Sequence, residues 1–188
     1  FKGEFMLVLV GESASGKDYI KQTLIEEYGF KPMITYTSRP MREGEKQHST
    51  YHFISEEDFM KKINEHFFAE WKKYKTAEGT WYYGTALEDC HRADADTIAI
   101  LTPDGVRDLQ DKNIKMYVIY IYANLRTRMQ RLSLRGDRQE EVERRIKADE
   151  YDFQGVEVLA DHITRNHFND AIYDVTDDII DAYNSYLM

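Results

Sequence analysis

Phe5-Met6-Leu7-Val8-Leu9-Val10 runs unbroken and apolar into Gly11-Glu12-Ser13-Ala14-Ser15-Gly16-Lys17-Asp18, after which Tyr19, Ile20, Leu24 and Ile25 recur at helical spacing. An apolar run without polar alternation predicts a strand buried on both faces, as in a parallel sheet covered by helices. The periodic segment predicts a helix over about 17–27, closed by Gly29. Strand, glycine loop and helix together make a βα unit. The loop fits GxxxxGK: its glycines let the chain curl so that successive N–H groups point inward at a phosphate. The helix start adds unpaired N–H groups and the positive end of its dipole. Lys17 reaches the β and γ phosphates as a mobile point charge. The candidate ATP phosphate-binding set is therefore Gly11, Ser13, Ala14, Ser15, Gly16, Lys17 and Asp18.

Asp18 stands where the pattern wants Ser or Thr to place a hydroxyl on Mg²⁺. A carboxylate is a good hard-oxygen ligand, so Asp18 is the candidate metal ligand and Mg²⁺ the expected cofactor. The alternative is weakened hydrolysis chemistry, with the hydroxyls of Ser13 and Ser15 partly substituting.

Working outward, the βα pattern resumes with strands at Thr97 to Leu101 and Lys115 to Tyr122, with Pro103 in the first turn of a helix between them. Asn124 caps a helix carrying Leu125, Met129 and Leu132. Arg135-Gly136-Asp137-Arg138 interrupts it, and Glu140 to Tyr151 is again helical. Ile172 to Val175 is expected as the last strand, with Asp177 opening the closing helix. The frame has two insertions. Between about 35 and 86 lie short strands at Met33 to Tyr36, Tyr51 to Ile54, Phe67 to Tyr74 and Trp81 to Gly84, the last two joined by a turn near Gly79. Within that region Ser55 and Asp58 outline a capping box for a helix with Phe59, Met60 and Ile63 on one side. The second insertion is arginine-rich, at about 124–150. The expected organisation is a core of 1–34 and 87–188, with two working inserts, at about 124–150 and at 35–86. Insertions at the carboxyl ends of parallel strands are where such sheets take ligands.

The chain has 188 residues, enough for one core with grafted inserts. Its 25 basic and 34 acidic residues leave a formal charge of −9. That balance argues against a duplex-DNA or anionic-membrane surface, while leaving room for a local cationic pocket. The single cysteine, Cys90, offers neither an internal disulfide nor a zinc pair. No apolar run approaches the roughly 18 residues of a membrane span, and Phe1-Lys2-Gly3-Glu4 shows no signal-peptide pattern. The expectation is a cytoplasmic protein without nucleic-acid or membrane partners, monomeric or homodimeric. His48 and His52 lie in a turn-to-strand region rather than on one helix face, which disfavours a metal cluster.

Thr35-Tyr36-Thr37-Ser38-Arg39-Pro40-Met41-Arg42-Glu43-Gly44-Glu45, followed by Tyr51, is the second dense cluster. Two arginines three apart, flanked by hydroxyls and an aromatic OH, can surround a phosphate monoester. With the glycine loop, Phe68-Ala69-Glu70-Trp71 and Tyr82-Tyr83-Gly84-Thr85, this cluster resembles the guanylate kinase family. That family carries a loop ending GK, then TTRxPRxGE, a Tyr about a dozen residues on, an FxEW-like strand and YYGT. Its LxxRLxxRG element is similar to Arg128 to Gly136, RMQRLSLRG, and its RIxxA element to Arg145-Ile146-Lys147-Ala148. The resemblance covers nearly the whole chain in the family's order.

The resemblance implies an α/β phosphate-loop core with a parallel sheet, and transfer of the γ-phosphoryl of ATP to a nucleoside monophosphate, GMP or dGMP. It implies that Arg39, Arg42, Tyr51 and Tyr83 hold the acceptor phosphate, and that Glu70 binds guanine with the hydroxyls of Thr35 and Thr85 assisting. Guanine offers an N1–H beside an amino group, which one carboxylate binds bidentately; adenine has no N1–H. By the same resemblance Arg131, Arg135 and Arg145 close over the transferring phosphate, with Arg138 also in the lid at about 124–150, and 35–86 is the monophosphate-binding region. Lys17, Arg42, Arg131 and Arg145 are then the catalytic set. The acceptor oxygen is already anionic, so no general base is needed and catalysis reduces to alignment and charge neutralisation.

The chain departs from the pattern at four places. Asp18 replaces the hydroxyl residue, and Thr102 stands where an acid is expected, with Asp104 a differently placed substitute. The usual Asn-Asp after the last strand reads Asp174-Val175, and Pro40 is one residue off. These departures leave open a kinase for another or modified nucleotide, or a guanylate-kinase-like binding module with little catalysis.

Overall fold

The computed structural model describes residues 5–76 and 79–188. They fold as two compact units: 5–32, 94–107 and 115–188 form one, and 33–76, 79–93 and 108–114 the other. In chain order the elements are β1 (Met6–Val10), α1 (Lys17–Tyr28), β2 (Lys31–Pro32), β3 (Tyr36–Thr37), β4 (His52–Phe53), α2 (Glu56–Asn64), β5 (Phe68–Thr76), β6 (Gly79–Ala86), α3 (Leu87–Arg92), β7 (Thr97–Ile100), α4 (Pro103–Asp111), β8 (Met116–Tyr122), α5 (Leu125–Leu134), α6 (Gln139–Asp152), β9 (His162–Arg165) and α7 (Ile172–Leu187).

The first unit holds a five-stranded sheet of order β2-β7-β1-β8-β9, parallel at every pairing. β1 is its middle strand, and all five residues from Met6 to Val10 are fully buried, as an apolar run without alternation requires. One face packs under α1 and α7: Leu7, Leu9, Ile119 and Ile121 meet Ile20 and Leu24 of α1 and Val175, Ile179 and Tyr183 of α7. Tyr183 buries its ring there and donates its OH to the carbonyls of Phe5 and Ala95, at 3.0 and 3.1 Å. Gly29 ends α1 in the left-handed conformation at φ 76°, its N–H reaching the Leu24 carbonyl, as a glycine C-cap does.

The second unit holds a four-stranded sheet of order β4-β3-β6-β5. β3 pairs parallel to β4 and antiparallel to β6, and β5 and β6 form an antiparallel ribbon. Its core is aromatic: Phe59 stacks on Phe68 at 4.4 Å and lies against Tyr82. Gly84 is required at that contact, because a Cβ would sit 2.9 Å from the Phe68 ring and 3.0 Å from Phe59. Truncating a fully buried phenylalanine such as Phe59 to alanine costs about 3–5 kcal/mol. Ser55 caps α2, accepting from the Asp58 N–H at 3.0 Å and donating to its carboxylate at 2.8 Å. The turn expected near Gly79 includes residues outside the described ones.

The structure corrects four local expectations. Ile172 to Val175 is not a strand but the first turn of α7; Val175, Thr176, Ile179 and Tyr183 recur at three- and four-residue steps and are its buried face. The last strand is β9, further back, on the sheet edge. Met33 to Thr35 belongs to no strand; β2 ends at Pro32, whose missing N–H is tolerated at an edge. Met60 is exposed, leaving Phe59 as the buried residue of α2. On α5, Leu125 and Met129 face solvent, and Thr127, Arg128 and Leu132 are buried instead.

Candidate functional site

The glycine loop leaves the carboxyl end of β1 and runs into α1. Two glycines are forced there. A Cβ on Gly11 would lie 2.5 Å from Ser15 Oγ and 2.9 Å from the Ile121 carbonyl; Gly16 sits at φ 95°, with Asn166 Nδ2 2.3 Å from where a Cβ would go. Ala14 takes the left-handed conformation without being glycine, at φ 60°, a disfavoured state for an alanine. Its buried methyl packs with Leu132 and Val142, so the loop is pinned to α5 and α6. The outward carbonyls are tied down from behind. Arg131 Nη1 donates to Ala14 and Ser15 at 3.2 and 3.1 Å, and Asn166 Nδ2 donates to Ser15 at 2.8 Å. Lys17 and Asp18 open α1, where first-turn N–H groups have no intrahelical acceptor. Lys17 Nζ donates to the Glu12 carbonyl at 3.4 Å. Burial pushes its pKa below the ordinary lysine value, opposed first by the charge of Asp18 and then by that of Asp149.

Beneath the loop lies a buried ionic cluster. Arg128 donates to the Ser13 carbonyl at 3.0 Å, to Glu12 at 3.1 Å and to Asp149 at 2.5 Å. Asp149 also accepts the Ser13 N–H at 3.0 Å and the Ser13 hydroxyl at 3.2 Å. Tyr120 donates its OH to Glu12 at 2.9 Å. Burial, then the Glu12 charge and that hydrogen bond, push the tyrosine's pKa well up.

In the second unit Arg39 is the centre. It is 6% exposed, with Nε on the Tyr83 oxygen at 3.1 Å, Nη1 on the Pro40 carbonyl at 2.7 Å, and both terminal nitrogens on Glu45 at 3.0 and 2.7 Å. Four of its five N–H groups are thus engaged, and its guanidinium lies over the rings of Tyr51 and Phe53. The Arg39 bonds hold the Glu45 carboxyl below the usual carboxylate range. Glu45 also accepts the Arg42 N–H at 2.7 Å. On the β5–β6 ribbon Glu70 is in register with Thr85, which donates its hydroxyl to it at 2.6 Å. Burial raises the Glu70 pKa, the Thr85 bond opposes it, and Asp108 adds to the rise. Cys90 on α3 is pushed up to about 12 by burial first and the Glu70 charge second.

The guanylate kinase family model matches residues 4–183. The chain belongs to the guanylate kinase family. Guanylate kinase of Helicobacter hepaticus is 36% identical over 101 residues, 53% of this chain and 48% of that protein. That of Oleidesulfovibrio alaskensis is 40% identical over 85 residues, 45% and 39% of the two chains. The chain thus spans less than half the length of these two relatives. The match to the Syntrophus aciditrophicus enzyme is longer, 31% over 150 residues, covering 76% and 69%. A crystal structure of guanylate kinase from Anaplasma phagocytophilum shares the fold at a TM-score of 0.70, over all of this chain and 88% of that one, at 17% identity.

Within that family pattern the expected site residues fall into groups. Gly11 through Asp18 form one continuous loop and helix start, but Ser13 gives both of its donors to Asp149. Arg39, Tyr51 and Tyr83 come together, with the two tyrosine rings 5.9 Å apart. Glu70 joins Thr85; Thr35 offers its carbonyl to the His52 N–H at 2.8 Å; Arg42 is exposed. Of the lid arginines, Arg131 lies behind the phosphate loop. Arg145 binds Glu141 at 2.8 Å and Asp137 at 3.6 Å. Arg135 caps the end of α5, and Arg138 precedes α6 as its N-cap. Thr102 accepts the Gly105 N–H at 3.1 Å as a helix cap, and Asp104 pairs with Arg107 at 3.0 Å. His48 and His52 share a hydrogen bond between Nδ1 atoms at 2.6 Å.

Three functional positions escaped the motif reading. With β9 as the last strand, Asn166-His167 and not Asp174-Val175 follow it, and Asn166 touches the loop. Arg128 occupies the leucine position of LxxRLxxRG. Counted from Arg145, the alanine of RIxxA falls on Asp149, so the match at Ala148 is one residue short. An arginine for a leucine and an aspartate for an alanine, twenty-one residues apart, were the available signal.

Proposed function

We propose that this protein transfers the γ-phosphoryl group of ATP to GMP or dGMP, giving ADP and the corresponding diphosphate. The observation that carries the reading is that one chain builds two anion sites of different design, one in each unit. In the first, Lys17 and the first-turn N–H groups of α1 are set to receive the β and γ phosphates. In the second, Arg39 and Arg42, with the hydroxyls of Tyr51 and Tyr83, suit a phosphate monoester. Glu70, positioned by Thr85, suits the adjacent N1–H and amino group of guanine as a carboxylate. Binding that edge replaces the hydration Glu70 has lost, which favours its charged form.

Asp18 is exposed in the first turn of α1, and among the described residues no three His, Cys, Asp or Glu side chains form a self-sufficient metal cage. A lone carboxylate beside a phosphate loop fits Mg²⁺, which is commonly held by one or two carboxylates plus the nucleotide's own phosphates. Asp18 would hold it, and Mg²⁺ bound with ATP neutralises charge on the phosphate oxygens. Lys17 then follows the migrating group, and Arg39 and Arg42 hold the acceptor oxygen in line. Arg145, released from Glu141 and Asp137, and Arg135, whose charge already acts on Lys17, are cations that could approach the equatorial oxygens.

A coupled ADP-release assay with Mg-ATP, run across GMP, dGMP, AMP, CMP, UMP and dTMP, tests the reading. Turnover confined to GMP and dGMP and lost in Lys17→Ala is expected. Equal turnover on all acceptors would overturn the guanine assignment, and none on any acceptor would overturn the kinase.

A further inference from the structure

Ser13 sits in the middle of the phosphate loop, yet its N–H and its hydroxyl both end on a carboxylate of α6, at 3.0 and 3.2 Å. A negative group this close to a phosphate site is an odd choice unless its charge is cancelled. Arg128 offsets part of it: at 7% side-chain exposure it bridges Asp149, Glu12 and the Ser13 carbonyl, and the charge of Lys17 acts on both carboxylates. A buried ion pair is seldom the most stable way to fill such a space; apolar residues often do as well or better. Some benefit other than stability is therefore expected of it.

The backbone next to Ser13 supplies that benefit. Ala14 is held at φ 60°, and an alanine stays there only when its surroundings over-determine it. Asp149 grips the residue before Ala14 through two bonds, while Arg131 grips the Ala14 and Ser15 carbonyls from the other side. Together they fix the curl that turns the following N–H groups toward a ligand.

We propose that Asp149 is a positioning residue for the phosphate loop: it clamps Ser13 so that Ala14 keeps its left-handed turn, and Arg128 supplies counter-charge that limits the carboxylate's repulsion of nucleotide phosphate. Asp149 lies one turn beyond Arg145 on α6, so the same clamp fixes the helix that carries Arg145. The inference deepens the nucleotide-kinase reading and rests on its phosphate-loop half.

The test compares wild type, Asp149→Ala, Arg128→Leu and the double variant, read by ADP affinity from calorimetry, by KM for ATP and GMP, and by Tm. Arg128→Leu should lose Tm and ADP affinity together, because it strands two carboxylates. The double variant relieves Asp149 of its stranded charge and leaves only Glu12, which keeps the Tyr120 hydroxyl, so its Tm should recover most of the loss. Its ADP affinity and KM for ATP should remain about tenfold worse, the scale of losing charged hydrogen bonds, with KM for GMP unchanged. A double variant that binds ADP within twofold of wild type would reduce Asp149 to a structural brace and sink the proposal. Should the double variant fold poorly, the near-isosteric Asp149→Leu, which can accept nothing from Ser13 and leaves Arg128 paired with Glu12, is read the same way: a tenfold loss of ADP affinity supports the clamp, and a loss under twofold sinks it. Wild type that binds ADP without turnover overturns the kinase reading and leaves this one standing. Wild type that binds no ADP overturns both.

Discussion

Around the glycine loop the geometry is main-chain: Gly11, Ala14 and Gly16 bend the backbone, and side chains such as Arg131, Asn166 and Asp149 hold it from behind. Around Arg39 the geometry is mostly side-chain, with a guanidinium fixed by Glu45, Tyr83 and the Pro40 carbonyl. The first region presents its donors already turned and leaves Lys17 bonded to a carbonyl. The second stores its main cation in an ion pair that an incoming phosphate must share or open. A backbone-built site costs little to reorganise on binding, whereas a side-chain-built one gains selectivity because only a suitable anion displaces the resident carboxylate.

The sharpest way to break the comparison is to remove the central arginine from each region. Arg128→Leu leaves Glu12 and Asp149 without their counter-charge, with side chains 14% and 11% exposed. A cost of about 3–5 kcal/mol is expected for breaking a buried pair. Arg39→Leu leaves one carboxylate, which still accepts the Arg42 N–H, so its cost should be lower, about 1–3 kcal/mol. Urea unfolding of both variants checks the order. Equal losses would mean that the two clusters are energetically alike.

Lys17→Ala separates function from stability within the first region. Turnover should fall about 10²–10³-fold, the effect of removing one group aimed at developing charge. Folding should not suffer. A lysine whose pKa is depressed by burial costs stability at neutral pH, and that cost is relieved only as pH rises through the folded value toward 10.5. Tm at pH 7 should therefore hold or rise in the variant, and a scanning calorimeter decides it.

Glu70→Gln makes the matching cut in the second region, with the opposite pH window. A carboxyl with a raised folded pKa contributes stability below the unfolded value of 4.5 and loses it as pH rises through the folded one. The variant should therefore melt above wild type at pH 8, and the gap should close below about pH 4.5. GMP binding should weaken about tenfold or more, since an amide cannot accept from both guanine donors. A variant that melts higher yet binds GMP normally would remove Glu70 from base recognition.

The same contrast explains what could be read in advance. FMLVLV followed by GxxxxGK declares a buried strand and its loop, because backbone geometry leaves a mark in glycine spacing. β9 left none. His162-Ile163-Thr164-Arg165 is a four-residue edge strand with two of its side chains exposed, so neither a continuous apolar run nor its length stood out. Ile172-Tyr173-Asp174-Val175 looked more like a strand, although the three- and four-residue spacing through Ile179 and Tyr183 marks a helix. Misplacing that boundary hid Asn166. Arg128 and Asp149 were hidden for another reason: twenty-one residues and a helix break separate them, and only the folded chain shows that each balances the other.

Asp18 should give the smallest effect and sharpens the first region most finely. It is exposed at the N-terminal turn of α1, where its charge favours the helix dipole by about 0.3–1 kcal/mol. Asp18→Ser should therefore cost less than about 1 kcal/mol. Its two proposed tasks part in the kinetics. As a metal ligand, its replacement by a hydroxyl should raise the Mg²⁺ concentration for half-maximal rate several-fold, with little change in the rate at saturation. As the charge that most opposes the depression of the Lys17 pKa, its loss lets that pKa fall further. The alkaline limb of the pH–rate profile, where Lys17 gives up its proton, should then move toward neutrality. Asp18→Asn, which keeps an oxygen donor but not the charge, should shift the pH limb as far as serine does. A pH limb that stays put in both variants would leave Asp18 with the metal alone.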